Sequence, residues 1–423
     1  MKTIEHIVVG AGITGLYTAY KLNSNNVLII DKSTYIGGRV HTNTKDGYMY
    51  ECGAGRIGLK QKQIMELLEE LDLKNKLSCI KKSKHFYVNN HFLKNEEELL
   101  KFYDITRFKS IKEIWEKAFS NKSQYKKEYL KEINLVSYLN LFLLPNEVEV
   151  ITKSFGFTSK IYLMNAYESL DNIQADYDVE KSDFYVLQGG LKQIIDKLVD
   201  ILKTRGVEIM LNSECIDVKE YNNSSKKIKV SQLINNNLKN KIFIGKKVYF
   251  TIPKDFLIKI PYFSNNMMIN SAVTSYPLMR IYAKYPLDKD GKSWFEKINT
   301  TYTDLPIRTI IPMYKGLIMI SYTDNYYANF WNNLSSKKEI EKYLLKYLNL
   351  VYKDVEIPKI EWLSLHYWHH ANHVWNIGYD YESFYKNIKR TFHSKGIYIL
   401  GESFAKHQSW IDGCLEQVNE QVF

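Results

Sequence analysis

At 423 residues the chain is long enough to bury a large core and to fold as two domains. With 45% apolar and 25% charged residues it has the composition of an ordinary globular protein. The net charge of +11 comes from scattered lysines with no basic block, so these read as solvated faces and no nucleic-acid partner is expected. Cys52, Cys79, Cys215 and Cys414 lie far apart and form no CxxC pair. That disfavours a zinc site or a disulfide framework and fits a reducing compartment.

The chain opens on Thr3–Val9, a β-branched run ending in glycine that predicts a buried parallel strand. It starts so close to Met1 that no signal peptide is expected. Ile13–Leu22 has helical spacing, and "NVLIID" (Asn26–Asp31) predicts a second strand ending in an acid. Between the first strand and the helix, Gly10, Gly12 and Gly15 satisfy GxGxxG. The first glycine permits a tight turn, the second a close backbone approach to a pyrophosphate, and the third close packing of helix on strand. The helix start, through Ile13 and Thr14, offers free N–H groups and a positive dipole end. Asp31 stands where a carboxylate can bond a ribose hydroxyl, with Lys32 beside it. A dinucleotide site follows. In "KSTYIGGRVHT" the Gly37–Gly38 doublet and Arg39 add a second backbone approach and a fixed cation, which a nicotinamide domain does not need.

Further along, residues 60–181 are rich in Lys and Glu, and "QIMELLEELDL" and "KKEYLKEINLVSYLNLFLL" predict helices. The apolar stretch within the second is shorter than the ~18 residues that span a bilayer, so no membrane partner is expected and the chain should be cytoplasmic. "GGLKQIIDKLVDILKTRG" predicts a helix opened by Gly189–Gly190 and stopped by Gly206, followed by strands at "VEIMLN" and "KKVYFTIP". Residues 262–393 are dense in aromatics with strand-like alternation, and "GIYILGES" is a late strand before a terminal helix from about Trp410. The expected fold class is α/β, a Rossmann-like dinucleotide-binding domain interleaved with an α+β substrate domain. The first would comprise 1–60, 182–260 and 390–423; the second, 61–181 and 261–389.

The motifs together resemble the flavin amine oxidase family, which includes monoamine oxidases, polyamine oxidases and L-amino-acid oxidases. "DGYMYECGAGRIG" is similar to that family's segment beside the flavin, which implies cofactor contacts from Gly53, Ala54, Gly55 and Arg56, the glycines letting the ring system approach. "YVLQGGLKQIIDKL" resembles the helix re-entering the FAD domain. "GVEIMLNSECIDV" resembles a strand covering the adenine, implying a backbone contact at Cys215. "GIYILGESFAKHQSWIDGCLEQVNEQV" matches the closing motif. There Gly401 and Glu402 would lie near the ribitol and pyrophosphate, and the helix at Trp410–Ile411 would point at the flavin N1 locus, where a helix N-terminus stabilises negative charge.

On the substrate side the resemblance makes Trp410 one wall of an aromatic cage, and "HYWHHANHVWNIGYDY" the source of the other, either Trp375 or Tyr379. Many relatives place a lysine at flavin N5. The matching strand "YPLMRIYAKY" puts Arg280 there, which cannot act as a base near neutral pH. No cysteine stands where monoamine oxidases bond FAD, so FAD should be non-covalent. Nor is the membrane-anchoring tail of monoamine oxidases expected, as the sequence stops at Phe423. His366, His369, His370 and His373 have ligand-like spacing, but their β-like context argues against a metal. The implied activity is oxidation of a small amine by hydride transfer to flavin N5, giving an imine, with O₂ as acceptor and H₂O₂ as product. The same fold in relatives also serves carotenoid, protoporphyrinogen or sugar-nucleotide chemistry, and a flavin-binding protein with little turnover is a third reading.

Overall fold

The computed structural model describes residues 3–80, 83–181 and 184–423. Two compact units emerge from the contacts, each discontinuous in sequence. The first unit comprises Met1–Ile80, Asp171–Ser275 and Asn372–Phe423, and the second Lys81–Leu170 and Tyr276–Ala371.

The first unit is built on one seven-stranded sheet. Its members are β1 (Thr3–Val9), β2 (Val27–Ile30), β3 (Glu208–Met210), β4 (Ser213–Asn222), β5 (Ser225–Ile234), β6 (Asn237–Phe250) and β7 (Ile397–Ile399). β1 runs parallel to β2 on one side and to β6 on the other, with Val9 opposite Ile30 and Phe250. β3 adds to β2 and β7 to the last three residues of β6, both parallel. Asn237–Gly245 of the 14-residue β6 pairs antiparallel with β5, and β5 with β4. All four residues of β2 and the last four of β1 are buried, as strands covered on both faces must be.

Helices α1 (Ile13–Leu22), α2 (Lys192–Thr204) and α3 (Ile411–Val422) pack over this sheet. Leu16 and Tyr17 of α1, Ile194 and Leu198 of α2, and Leu415 and Val418 of α3 share one core with Val8 and Ile29. The helix Lys62–Glu70 sends Ile64, Leu67 and Leu68 into that core, so the first segment of this unit runs to Ile80 rather than residue 60. At the other end, Trp375 packs on Phe384, and the Tyr385 hydroxyl donates to the Ile399 carbonyl. These contacts bring the chain into the unit at Asn372 rather than 390. The middle segment enters at Asp171, with Asn172 bonded to Lys406 and Gln408. The expected boundary at 181/182 abuts residues 182–183, which lie outside the described residues.

Another seven-stranded sheet, most of it in the second unit, has the order Trp362–Trp375, Val273–Lys284, Leu317–Asp324, Thr309–Tyr314, Thr300–Thr303, Lys84–Val88 and His91–Leu93. Helices flank it. The stretch expected as one helix, "KKEYLKEINLVSYLNLFLL", forms two short ones, Lys127–Lys131 and Leu135–Leu139. Asn134 causes the break, because its side chain accepts from Ser137 N and starts the second helix as an N-cap. Among the described residues no helix is long and apolar enough to cross a membrane.

Candidate functional site

The glycine loop joins β1 to α1, and its three glycines meet three different demands. Gly10 has φ +116°, a backbone that side chains rarely adopt, and a Cβ there would come within 2.5 Å of Thr251 Oγ1. A Cβ at Gly15 would sit 1.9 Å from the Gly10 carbonyl oxygen, so only glycine lets α1 close on the strand. Gly12 differs. Its φ of −77° suits any residue, and a Cβ would meet no protein atom nearer than Gly37 O at 4.0 Å. The space in front of Gly12 is a cradle that a methyl group would begin to fill. Gly12 is also the N-cap of α1 and brings no side chain to its N–H groups.

The glycine doublet closes onto this loop. Gly12 and Gly37 form a parallel bridge, Gly37 N donates to Ala11 O at 2.9 Å, and a Cβ at Gly38 would lie 3.6 Å from Gly12 Cα. Asp31, at the end of β2, accepts from Ala11 N at 2.6 Å and from Ser33 N at 2.7 Å. A carboxylate has about four lone-pair directions, so these two bonds orient Asp31 and leave it capacity for a hydroxyl. The Lys32 ammonium stands 3.3 Å from the centre of the Phe256 ring, and burial lowers its pKa from the ordinary lysine value. Cys215 is buried in β4, where burial pushes its thiol up to about 12, so it stays a neutral packing group.

In the "ECGAGRIG" segment a contact within the protein accounts for one of the glycines. A Cβ at Gly53 would lie 2.0 Å from the Arg39 carbonyl oxygen, and Ala54 N donates to that oxygen at 3.0 Å. Gly53 is glycine because the chain itself crowds it, which is a sufficient cause without a ring system. Its neighbour Glu51 has an unforeseen role: it accepts from Leu191 N at 2.6 Å and from the Thr42 hydroxyl at 2.8 Å. Thr42 in turn accepts from Lys192 N at 3.1 Å. Glu51 thereby satisfies the N-terminus of α2, where a carboxylate also suits the helix dipole.

Glu402 follows β7 in a short 3₁₀ turn and is 5% exposed. One oxygen accepts from Arg39 Nη1 at 2.7 Å and from His373 Nδ1 at 2.8 Å. The other accepts from the backbone N–H groups of His373 at 2.9 Å and Ser409 at 3.2 Å. Burial alone would raise this carboxyl, but the charges of His373 and Arg39 hold it down at about 2. The sequence offered Glu402 and Arg39 as two separate cofactor contacts and gave no sign that they pair. It did not reveal His373 as their partner, since no local pattern links residue 373 to 402 or 39. The four histidines lie on the strand Trp362–Trp375, where alternate residues face opposite sides, so no helical ligand face exists.

Trp410 is the N-cap of α3 and half buried. Its indole N–H donates to Asp176, and its ring stacks on Phe184 with centroids 5.9 Å apart and planes 10° from parallel. A ligand between two rings needs about 7 Å, so Phe184 occupies this face of Trp410 and only the rest of the indole is open. The Arg56 guanidinium lies 4.4 Å from the Phe184 centroid and 5.9 Å from that of Trp410. Trp375, one of two candidates for the second cage wall, is fully buried, packs on Phe384 and Tyr381, and donates to Ala405 O at 3.3 Å. It is a core residue with no surface to offer a substrate. Tyr379 is half buried in the turn after that strand. Arg280 belongs to the second unit, 5% exposed, with its guanidinium 4.5 Å from the Tyr322 ring and 3.4 Å from the Tyr282 hydroxyl. Burial opposes its charge, yet the two tyrosines hold it protonated throughout the accessible range.

The family model for flavin containing amine oxidoreductase matches residues 13–237, more than half of the chain. The chain belongs to this family. An L-amino-acid oxidase of Crotalus adamanteus is 26% identical over 243 residues, covering 51% of this flavin amine oxidoreductase and 45% of that protein. It thus spans less than half the length of that curated relative. A protoporphyrinogen oxidase 2 of Arabidopsis thaliana is 33% identical over 86 residues, 20% of this chain and 17% of that one. Among solved structures, putrescine oxidase bound to putrescine has a TM-score of 0.73 at 14% identity, covering 99% of this chain and 98% of that one, which supports the fold.

Family membership makes FAD the cofactor of this flavin amine oxidoreductase. The residues present fit it: an open cradle at Gly12, a second glycine facing it at Gly38, a helix N-terminus without a side-chain cap, an acid at the end of β2 and an anchored arginine.

Proposed function

We propose that this chain is an FAD-dependent oxidase of a small amine that carries a carboxylate, that is, an amino acid. The observation that carries the reading is the Arg56 guanidinium over Phe184, beside the indole of Trp410. Arginine stays charged at any working pH and binds carboxylates in bidentate fashion, so it attracts an amino acid and repels a purely cationic amine. The similarity to an L-amino-acid oxidase supports this choice.

On this reading Gly10, Gly12, Ile13, Thr14, Gly15 and Gly38 would hold the pyrophosphate, Asp31 the ribose, and Lys32 and the Cys215 backbone the adenine. Arg39, Gly401 and Glu402 would flank the diphosphate and ribitol, and Gly53, Ala54 and Gly55 would complete the wall. FAD, when bound, would supply a two-electron acceptor for the hydride on the amine-bearing carbon; water would hydrolyse the imine to a keto acid and ammonia, and O₂ would take the two electrons with two protons to give H₂O₂. The N-terminus of α3, at Ile411, offers its positive dipole end to negative charge developing on the ring system. Trp410, pinned by Asp176 and Phe184, packs the substrate with its open surface, Arg56, which the resemblance gave as a cofactor contact, is assigned instead to the substrate carboxylate, and Tyr379 is the remaining candidate for a second wall. The substrate reacts as the neutral amine, without a side chain acting as base. The four unbridged cysteines support a cytosolic setting.

An anaerobic panel tests the proposal. Amino acids should bleach the protein's flavin absorbance, simple amines should do so poorly, and Arg56→Ala should raise KM for amino acids at least tenfold. Bleaching by simple amines alone, or by neither class, would contradict it.

A further inference from the structure

His373 is fully buried and stands between two carboxylates from separate stretches of the first unit. Its Nδ1 lies 2.8 Å from Glu402 Oε2, and its Nε2 lies 3.1 Å from Asp255 Oδ2. A neutral imidazole has one N–H, whereas ionised carboxylates only accept. Both bonds form together only in the imidazolium. Arg39 binds the same Glu402 oxygen, so cation and anion alternate along a chain Arg39–Glu402–His373–Asp255. The Ser403 hydroxyl lies 3.2–3.3 Å from both ring nitrogens and accepts from Lys254 N, and the Ser275 hydroxyl donates to Asp255. The nearby Cys414 thiol is pushed up to about 11 by burial and stays neutral, so it does not change the local charge.

We propose that His373, as a buried imidazolium, is a positioning residue for FAD that sets the charge of the cradle formed by Arg39 and Glu402. The inference rests on the reading that Arg39 and Glu402 flank the diphosphate and ribitol. Loss of the imidazolium proton makes the cluster one unit more negative and deprives one carboxylate of its donor. Both effects act against an anionic diphosphate bound beside Glu402. Burial would lower the histidine pKa, but Glu402 and Asp255 raise it above the ordinary value, opposed by the weaker repulsion of Arg39. The sign follows. FAD affinity is full below the raised His373 pKa and falls as pH rises through it, and bound FAD raises that pKa further by linkage.

The test is titration of the full-length apoprotein with FAD between pH 6 and 9, read by quenching of flavin fluorescence. The wild-type Kd should rise severalfold over this range. His373→Gln should weaken binding about tenfold at pH 6 and flatten the pH profile. Removing one negative charge as well, in His373→Gln/Asp255→Asn, should recover affinity to within about threefold of wild type, which a merely structural role would not produce. Asp255→Asn alone should shift the midpoint to lower pH, so the proposal stays testable even if the histidine variant does not fold. A wild-type profile in His373→Gln, no recovery in the double variant, or an unmoved midpoint in Asp255→Asn would overturn the inference. Glu402→Gln separates it from its premise: unchanged FAD affinity there would remove Glu402 from the cradle and the inference with it.

Discussion

Gly12 and Gly15 stand three residues apart and are glycines for opposite reasons. At Gly15 the obstacle is the protein's own backbone, 1.9 Å from where a Cβ would stand, and nothing in a strand-to-helix turn can give way. At Gly12 the protein leaves the space open. Gly15→Ala should therefore cost more than about 3 kcal/mol and prevent folding of the unit. Gly12→Ala should change apoprotein stability by less than about 1 kcal/mol in urea unfolding, while weakening FAD at least tenfold. An alanine at 12 that leaves FAD affinity intact would remove this loop from the cofactor site. The GxGxxG spacing assigned close helix packing to Gly15 and an open approach to Gly12; what it left unread were the neighbours, Gly10 O and Gly37 O, that set the distances. Trp375 illustrates the same limit: a tryptophan two residues past a histidine reads equally well as cage or core, and Phe384 and Tyr381 decide for core.

Elements were legible where their pattern was local. β1, α1, β2 and α2 follow from hydrophobic spacing and glycine punctuation; β1 and α1 have the expected limits, and β2 and α2 are slightly shorter than the runs that predict them. The helix expected across residues 126–144 failed on one residue, Asn134, whose capping bond outweighs continued periodicity. The start of α2 was legible as a glycine pair, but its cap was not, because Glu51 reaches it from 140 residues away. Glu51→Ala should lose this cap and the Thr42 contact together. We expect destabilisation of about 1–2 kcal/mol in urea unfolding, with Glu51→Gln losing less. A neutral result for the alanine variant would show that water replaces the carboxylate at no cost.

At the scale of the whole molecule, the first unit is assembled from three distant segments, and its sheet records this directly. Val9, Phe250 and Ile399 are neighbours across parallel strands. The ends of these strands deliver Gly10–Gly15, Thr251–Asp255 and Gly401–Glu402 to the same edge of the sheet, where parallel α/β folds bind their ligands. The sequence revealed the first and last of these through motifs and missed the middle one, Asp255, because a lone acid after a strand carries no signature. The second unit was legible only as a class of structure. Its strands alternate, but what Arg280 meets there, Tyr282 and Tyr322, could not be read from spacing. The claim on which everything else depends is that the first unit holds one FAD without a covalent bond. Its most direct measurement is the absorption spectrum of the purified full-length protein, followed by chromatography of what it releases on denaturation. The account predicts a yellow protein that releases intact FAD at one equivalent per chain; a colourless protein that takes up no added FAD, or flavin that stays attached to the denatured chain, would contradict it.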